Sequence, residues 1–344
     1  TLSKGPGYPL FIAAAFKAHV PLRIAEHMVH ILAAATMGLA LAKVSRSRLL
    51  GVIAYCVIAL DPAYLGHWTS RITRDGVYGS FSLLLVAATL LFLVYVPALV
   101  RRGPAWAVPG ALASGLALGL LAGAYYITRD ERPWLAPALL ASGVVGVATW
   151  RREGKVRFWH AGGAVMLAVL VAGAGFAWSI DQVAARNQTA YGTSVISDLT
   201  EGENARAYAE WQRVDAGEPK PLTPVTAEQR EAVYAVSPSA AELEPHLKGQ
   251  GTYWMGPGCA PPTPAGCDFY GGYFVWAMRE AAAVTGNAAT GGEAQRFFGR
   301  LADEIAAACD TELRCLDPGF AAMPPWERVD TGRIWPSFQT ATSY

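Results

Sequence analysis

The chain has 344 residues, of which 53% are hydrophobic and 16% are charged, and its mean hydropathy is +0.25. Its 35 Gly and 22 Pro follow no period and its five Cys are few, which excludes collagen-like chains and small disulfide scaffolds. The net charge of +1 combines two opposite halves: residues 1–180 hold 16 Lys and Arg against 6 Asp and Glu, and residues 181–344 hold 12 against 21. Two domains with these boundaries are therefore predicted.

Six apolar stretches follow one another in the basic half. Each is about 20 residues long, the length that crosses a hydrocarbon core of roughly 30 Å as an α-helix. Because the backbone finds no water inside a bilayer, helices are expected there rather than open strands. The predicted fold class is all-α, with a bundle of about six transmembrane helices followed by a mostly helical, disulfide-containing soluble domain. The predicted spans are 22–42, 49–66, 77–100, 107–127, 133–149 and 161–180.

Basic residues mark one side of the predicted membrane domain. Nine lie in alternate connections and four in the others, and the positive-inside rule assigns the richer connections to the cytoplasm. The chain is therefore expected in the cytoplasmic membrane, with residues 181–344 on the extracytoplasmic side and without nucleic-acid binding. The nine are Lys43, Arg46, Arg48, Arg101, Arg102, Arg151, Arg152, Lys155 and Arg157, and the four are Arg71, Arg74, Arg129 and Arg132.

After residue 180 the apolar runs stop, and helical periodicity continues. The last predicted helix carries one apolar stripe at steps of three and four, formed by Phe297, Phe298, Leu301, Ile305 and Ala308. Ser237 and Ser239 are expected as helix N-caps, and the Gly- and Pro-rich residues 249–266 are expected to form a loop. The predicted helices are 201–214, 226–236, 239–247, 272–285 and 293–309.

Four of the five cysteines lie in the C-terminal half. Pairing between neighbours, Cys259 with Cys267 and Cys309 with Cys315, is the simplest of the three possible connectivities. An extracytoplasmic compartment favours disulfides, in agreement with the orientation predicted from charge. Zinc ligation is the alternative interpretation, although no C-x₂-C pair is present. A cofactor is thus unspecified, and a divalent metal is left open without a motif to hold it.

The first predicted span carries four ionisable residues on one helical face. They are Arg23, Glu26, His27 and His30, at positions i, i+3, i+4 and i+7. Ionisable groups inside a membrane are costly and mark either structural pairs or functional sites. In the structural interpretation Arg23 and Glu26 form an ion pair and the histidines are hydrogen-bonded in the bundle. In the functional one the stripe lines a water-filled cavity, where Glu26 or a histidine transfers a proton or binds a metal.

Further charges lie at the extracytoplasmic ends of the predicted spans. Asp61 precedes a proline, and it either satisfies backbone groups freed by that proline or faces the same cavity. Asp75 is a candidate cap for the third span. Arg71 and Arg74 either anchor the chain at the interface or hold a lipid phosphate through paired hydrogen bonds. The charged residues 128–134 form either a solvated turn or part of a site.

Two of these segments resemble motifs of one enzyme superfamily. Residues 4–10 (Lys-Gly-Pro-Gly-Tyr-Pro-Leu) resemble the Lys-Pro-Pro-type loop that enters a membrane helix in polyprenyl-phosphate-dependent glycosyltransferases of the GT-C superfamily. Its members include protein O-mannosyltransferase-like and aminoarabinose-transferase-like enzymes. Residues 128–131 (Thr-Arg-Asp-Glu) resemble the Thr-Arg-Pro-Glu element of many bacterial members, with Asp130 in place of the proline. Membrane spans followed by an outer soluble domain also match, whereas residues 181–344 resemble no named domain family.

The resemblance implies a sugar donor carried on a polyprenyl phosphate. It also implies an acidic residue in the first outer loop that acts as a base on the acceptor. By motif, Lys4 would approach the lipid phosphate. If the chain is such a transferase, Arg71, Arg74 and Arg129 are expected to neutralise the leaving phosphate, and Glu131 is expected to orient an arginine or the acceptor. The candidate residues for binding this donor are Lys4, Arg71, Arg74, Arg129 and Glu131.

No catalytic acid of the superfamily can be carried over to this chain. The acid that precedes the lysine in the aminoarabinose-transferase-like group is Ser3 here. The chain starts at Thr1 without a signal-peptide pattern, and it is expected to lack at least one upstream span and the other family acid with it. The candidate bases are therefore Glu26, Asp61 or an acid upstream of Thr1, with His27 and His30 lining the same cavity.

Two functions follow from these observations. The first is an inverting transfer of a sugar from a polyprenyl phosphate to an extracytoplasmic acceptor, in which cationic side chains neutralise the leaving phosphate. The second is a non-catalytic envelope protein whose outer helical domain binds a partner or a glycan. A transporter is not favoured, because no inverted repeat is present. The expected partners are the lipid bilayer and a polyprenyl-phosphate-linked sugar, while the identity of the sugar, the acceptor and the oligomeric state are not specified.

Overall fold

The computed structural model describes residues 2, 4–66, 72–129, 135–152, 158–260 and 266–316. Within these ranges the regular structure is helical, and the β-type pairing is limited to one antiparallel bridge between Val214 and Cys315. The predicted all-α fold class is therefore confirmed for the described part of the chain. The packing divides into two units, residues 3–187 and residues 188–344 with the first two residues. We call them the N-terminal and the C-terminal unit.

Long apolar helices dominate the N-terminal unit. Among the described residues five helical segments are long and apolar enough to cross a bilayer, against six predicted: Leu22–Ser45, Arg48–Gly66, Asp75–Arg101, Pro104–Tyr126 and Gly162–Tyr191. The predicted fifth span, 133–149, is helical over Ala136–Arg152, and the apolar helix described within it is Ala136–Ala148. The helices are α1 (Gly7–Lys17), α2 (Leu22–Ser45), α3 (Arg48–Ala59), α4 (Pro62–Gly66), α5 (Asp75–Arg101), α6 (Pro104–Tyr126), α7 (Ala136–Arg152) and α8 (Phe158–Tyr191).

Helix α2 has the opposite polarity to a helix of a water-soluble protein. Glu26 and His30 are only 2% and 5% exposed, whereas Met28, Leu32 and Leu39 are 61%, 55% and 58% exposed. Apolar side chains on the outside and ionisable ones inside the bundle suit a lipid solvent, because charges in hydrocarbon are costly. The N-terminal unit is therefore embedded in a lipid bilayer.

Three glycines let α6 approach α8 closely. A Cβ atom added to Gly115, Gly119 or Gly123 would lie 2.5, 2.3 or 2.5 Å from the nearest atom of α8. The first two of those nearest atoms are backbone oxygens, which cannot move aside. This spacing of small residues is the usual way in which membrane helices gain van der Waals contact without a hydrophobic driving force.

The C-terminal unit is built from shorter helices around a buried core. Trp211, Phe269 and Phe274 are fully buried in it, and the predicted apolar stripe of the last helix is confirmed, because its five members are at most 6% exposed. The helices are α9 (Gly202–Arg213), α10 (Ala227–Val236), α11 (Pro238–Ala241), α12 (Glu244–Lys248), α13 (Gly256–Cys259), α14 (Tyr273–Val284) and α15 (Gly291–Cys309). A 3₁₀-helix, Gln250–Met255, precedes α13.

The helix caps and the loop predicted for this unit agree with the structure in part. Ser237 caps α11 as expected, since its hydroxyl accepts the amide of Ala240. Ser239 is not a cap; its hydroxyl instead donates to Glu304 over 2.8 Å. The expected loop over 249–266 was wrong in its first part, where the 3₁₀-helix and α13 lie. Glycine and proline there permit short helical turns, because proline suits the first turn of a helix.

The two local cysteine pairs have the connectivity expected from the sequence. The sulfur atoms of Cys259 and Cys267 are 2.05 Å apart, and those of Cys309 and Cys315 are 1.94 Å apart. Each pair joins residues close in sequence, so each closes a short loop at one end of a helix. The second pair ties the end of α15 to the segment that forms the bridge with Val214.

Candidate functional site

The loop that precedes α1 packs on the end of α6. The amide of Gly7 donates to the carbonyl oxygen of Ile127 over 2.8 Å. A Cβ atom on Gly5 would lie 2.1 Å from that oxygen, and one on Gly7 would lie 2.3 Å from Oγ1 of Thr128. Only glycine allows this approach. The two segments that resemble superfamily motifs are therefore neighbours, and Lys4 lies exposed at the start of the loop.

Arg129 follows directly, and its side chain contacts Asp75 and Tyr78. Its guanidinium pairs with the carboxylate of Asp75, the first residue of α5, and lies 5.0 Å from the ring centroid of Tyr78. The hydroxyl of Tyr78 is 2.8 Å from that of Tyr125. The predicted capping role of Asp75 was wrong, because Arg74 is the N-cap residue of α5 and no side chain caps that end. Asp75 is the first residue of the helix and pairs with Arg129 instead. Cation–π contact and a carboxylate together fix the position of the arginine.

A cavity of about 330 Å³ opens beside this pair. The described residues that line it include His30, Asp61, Tyr64, Asp75, Tyr78 and Arg129. Two carboxylates and one guanidinium therefore face one space, at the break between α3 and α4 where Asp61 lies. Such a set can bind an anionic group and accept a proton from a neighbouring hydroxyl.

Glu26 lies beside the cavity but is not among the described residues that line it. Its carboxylate accepts a hydrogen bond from the hydroxyl of Tyr8 over 2.7 Å, and a Cβ atom on Gly76 would lie 2.8 Å from its Oε1. The hydroxyl of Tyr64 is 3.0 Å from the carbonyl oxygen of Glu26 and 2.9 Å from that of Gly76. The Glu26 carboxylate on α2 thus contacts both α1 and α5, and this position indicates a structural role in the bundle.

The two histidines are both tied into the bundle. His30 Nε2 is 2.8 Å from the carbonyl oxygen of Ile58, so this nitrogen carries the proton, and Nδ1 is 3.3 Å from the hydroxyl of Ser80. Its ring stacks on Tyr64 with centroids 3.7 Å apart. His27 Nδ1 is 2.6 Å from the carbonyl oxygen of Arg23. Of the two, only His30 lines the described cavity.

The remaining candidate residues are distributed as follows. Arg74 directly precedes α5 and is partly buried. Arg71 and Glu131 lie outside the described residues. Among those that are described, no group of three or more His, Cys, Asp and Glu side chains is arranged to hold a metal ion.

Sequence reasoning missed the tyrosines that organise this region. Three tyrosines contact residues on other helices: Tyr8 contacts Glu26, Tyr64 contacts Gly76, and Tyr78 contacts Tyr125. The two residues of each pair are at least 12 positions apart in the sequence. A tyrosine near the end of a span is ordinary in membrane proteins, so its residue type carries no specific signal. The small residues Gly5 and Gly7 were the available hint, since close backbone approach requires them.

The geometry therefore combines an arginine held by a carboxylate, a second carboxylate, and a glycine-dependent contact between two distant segments. No protein-family model, no curated protein and no solved structure matches this chain.

Proposed function

We propose that the N-terminal unit is a membrane glycosyltransferase that moves a sugar from a polyprenyl phosphate to a hydroxyl group of an acceptor. One observation carries the proposal. Gly7, in the first segment that resembles a superfamily motif, bonds to Ile127 and lies against Thr128, the first residue of the second segment. Arg129, in that second segment, lines a cavity that is also lined by Asp61 and Asp75. This proximity of segments far apart in sequence supports the proposal that a donor phosphate binds beside Arg129.

Arg129 is the proposed phosphate ligand. Its planar guanidinium has five N–H donors, so it can be positioned by Asp75 and the Tyr78 ring while its charge acts on a phosphate. A cation fixed before the reaction stabilises the negative charge that develops on the leaving group. Lys4 at the start of the neighbouring loop and Arg74 beside Asp75 are the further cations proposed for the donor.

Asp61 is the proposed base, because it lines the cavity whereas the Glu26 carboxylate accepts from Tyr8. Asp61 takes the proton of the acceptor hydroxyl, and the acceptor oxygen forms a bond to the anomeric carbon. The bond from that carbon to the phosphate oxygen breaks, and its electron pair leaves on the polyprenyl phosphate beside Arg129. Attack opposite the leaving group inverts the anomeric configuration.

The compartment of the reaction is part of the same proposal. The charge bias of the connections supports a cytoplasmic-membrane protein whose cavity and C-terminal unit face the extracytoplasmic side. A lipid-linked donor suits that side, because it carries an activated sugar without a soluble nucleotide.

The test uses the full chain in lipid nanodiscs with polyprenyl-phosphate mannose, glucose or arabinose and an envelope extract as the acceptor source. Release of polyprenyl phosphate and labelling of the acceptor are measured together. Asp61→Asn and Arg129→Ala should each lower turnover at least about 100-fold, the usual loss for a general base or a charge-stabilising donor. Arg102→Ala is the matched control and should leave turnover unchanged, because Arg102 contacts Trp106 instead.

Two results would contradict the proposal. One is full turnover by both folded variants. The other is a wild-type chain that neither turns over any of the three donors nor binds polyprenyl phosphate in native mass spectrometry. The second result would favour the non-catalytic envelope protein, in which the same charges act as structural ion pairs.

A further inference from the structure

Four aromatic side chains lie together on the C-terminal unit. Tyr253 and Trp254 come from the 3₁₀-helix, and Tyr273 and Trp276 come from α14. Trp254 lies 4.9 Å from Tyr253, 6.0 Å from Tyr273 and 6.4 Å from Trp276 between ring centroids. The corresponding angles between ring planes are 34°, 39° and 18°. These rings are closer to parallel than to perpendicular, and we call the group the aromatic platform.

The aromatic platform is accessible through its two tyrosines, whereas its two tryptophans are partly buried and pack against the core. Tyr253 is 58% exposed and Tyr273 is 36% exposed, whereas Trp211 is completely buried. Trp276 is partly buried and is held from one side by the guanidinium of Arg279, 5.4 Å from its ring centroid. A contiguous patch of exposed apolar surface is typical of an interaction site, whereas single exposed rings are common.

A carboxylate lies at the edge of the platform. Glu280 accepts hydrogen bonds from the hydroxyl of Tyr253, over 2.6 Å, and from the indole N–H of Trp254. Burial alone would raise the pKa of Glu280, but these two hydrogen bonds and nearby His246 hold that pKa below its usual range. The group is therefore an ionised acceptor at neutral pH, and its side chain is still one-third exposed.

His246 supplies a second, independent indication of a ligand. Its side chain is 6% exposed, and Nε2 points towards Glu280 Oε1 from 3.8 Å, which is beyond a hydrogen bond. Among the described residues, Nε2 has no hydrogen-bond partner. A buried polar atom without a hydrogen-bond partner destabilises the folded protein by about 1–3 kcal/mol, so such atoms are usually hydrogen-bonded in native proteins. A ligand hydroxyl beside Glu280 could provide the partner.

We propose that the aromatic platform, with Glu280 and His246, binds a neutral glycan. The C–H faces of a pyranose ring pack on aromatic faces, and its hydroxyl groups can donate to Glu280 and pair with His246. A quaternary ammonium would instead need aromatic walls that surround it, and these planes lie at 18–39° to one another. The carboxylate also disfavours anionic sugars. This proposal stands independently of the proposed transferase activity.

The test uses the full chain in nanodiscs and a panel of probes: chitohexaose, cellohexaose, mannohexaose and tetramethylammonium. Binding is measured by saturation-transfer NMR and by tryptophan fluorescence. At least one oligosaccharide should bind, and Trp254→Ala, Trp276→Ala and Glu280→Gln should each weaken it about tenfold, equivalent to ~1.4 kcal/mol for one contact. Tyr191→Ala is the matched control, because this exposed residue lies beside Gly291 and is not part of the aromatic platform.

Several outcomes would overturn the proposal. They are binding of no oligosaccharide, binding of tetramethylammonium alone, or oligosaccharide binding that Tyr191→Ala weakens as much as Trp254→Ala does. Hydrogen exchange of α14 in each variant checks that the fold is retained. Glu280→Gln keeps the shape of the side chain, so it tests the site even where an alanine variant unfolds.

Discussion

Replacing Asp268 by alanine should destabilise the C-terminal unit far more than removing an exposed carboxylate. The Arg230 guanidinium donates to Asp268 Oδ1 over 2.8 Å, and the two side chains are 8% and 5% exposed. Asp268 Oδ2 accepts the amide of Ala227 at the start of α10, and Oδ1 also accepts the amide of Phe269. One carboxylate thus satisfies a buried cation and two backbone amides from different segments.

The magnitude follows from what the substitution leaves behind. Breaking a buried ion pair by removing one partner costs about 3–5 kcal/mol, because the other charge stays buried. Arg230 would keep the carbonyl oxygen of Val225 at 2.9 Å and the ring faces of Phe269 and Phe274 at 4.7 and 5.9 Å. These remaining contacts of Arg230 offset part of the further destabilisation that arises when the amides of Ala227 and Phe269 lose their acceptor. We therefore expect a loss of about 4 kcal/mol.

The assay is hydrogen exchange of the full chain in nanodiscs, read from peptides that cover α10 and α14. Asp268→Ala should lower their opening free energy by about 4 kcal/mol, and Asp268→Asn by less, since its amide oxygen still accepts hydrogen bonds. Glu228→Ala, which removes the partly exposed pair with Lys220, should cost less than about 1 kcal/mol. Equal effects of Asp268→Ala and Glu228→Ala would refute the argument that burial sets the cost.

Three further predictions concern other contacts. Gly119→Ala should weaken the packing of α6 on α8 by about 1–3 kcal/mol. Gly173→Ala should be neutral or slightly stabilising, because nothing lies within 4 Å of the added Cβ atom. Equal thermal unfolding midpoints of the two variants in detergent would contradict this prediction. Tyr8→Phe should cost roughly 1.5–3 kcal/mol in the same assay, because buried Glu26 loses a hydroxyl donor, and an unchanged midpoint would show that the bond contributes little. The folded-state pKa of Glu280 is lowered, so the stabilisation that its carboxylate contributes is present above about pH 4.3 and is lost as the pH falls through the folded-state pKa. In an acid titration, Glu280→Gln should therefore lose less stability than the wild type. Identical acid unfolding curves for the two proteins would count against this prediction.

Properties that depend on neighbours in sequence could be predicted from the sequence. Hydropathy over about 20 residues located the membrane helices, and three- and four-residue steps located the buried stripe of α15. Local cysteine spacing predicted both disulfide pairs. The break at Asp61 followed from the proline after it.

The candidate site depended on contacts between distant residues, which no periodicity encodes. The sequence placed Glu26, His27 and His30 on one face of a helix, but only the packing of α1 and α5 against α2 directed Glu26 to Tyr8 and left His30 on the cavity wall. Likewise, Asp75 suggested a helix cap until α6 brought Arg129 to it.

The charge arithmetic and hydropathy of this chain determined that a basic, lipid-embedded half precedes an acidic, disulfide-bearing half, because both properties are sums over residues. Tertiary structure alone decided which polar groups meet. The contact of Gly7 with Ile127 and the assembly of Trp254 with Trp276 join separate segments whose proximity depends on the packing of whole helices. Chemistry requires side chains within a few ångströms of one another, and that distance is a property of the fold.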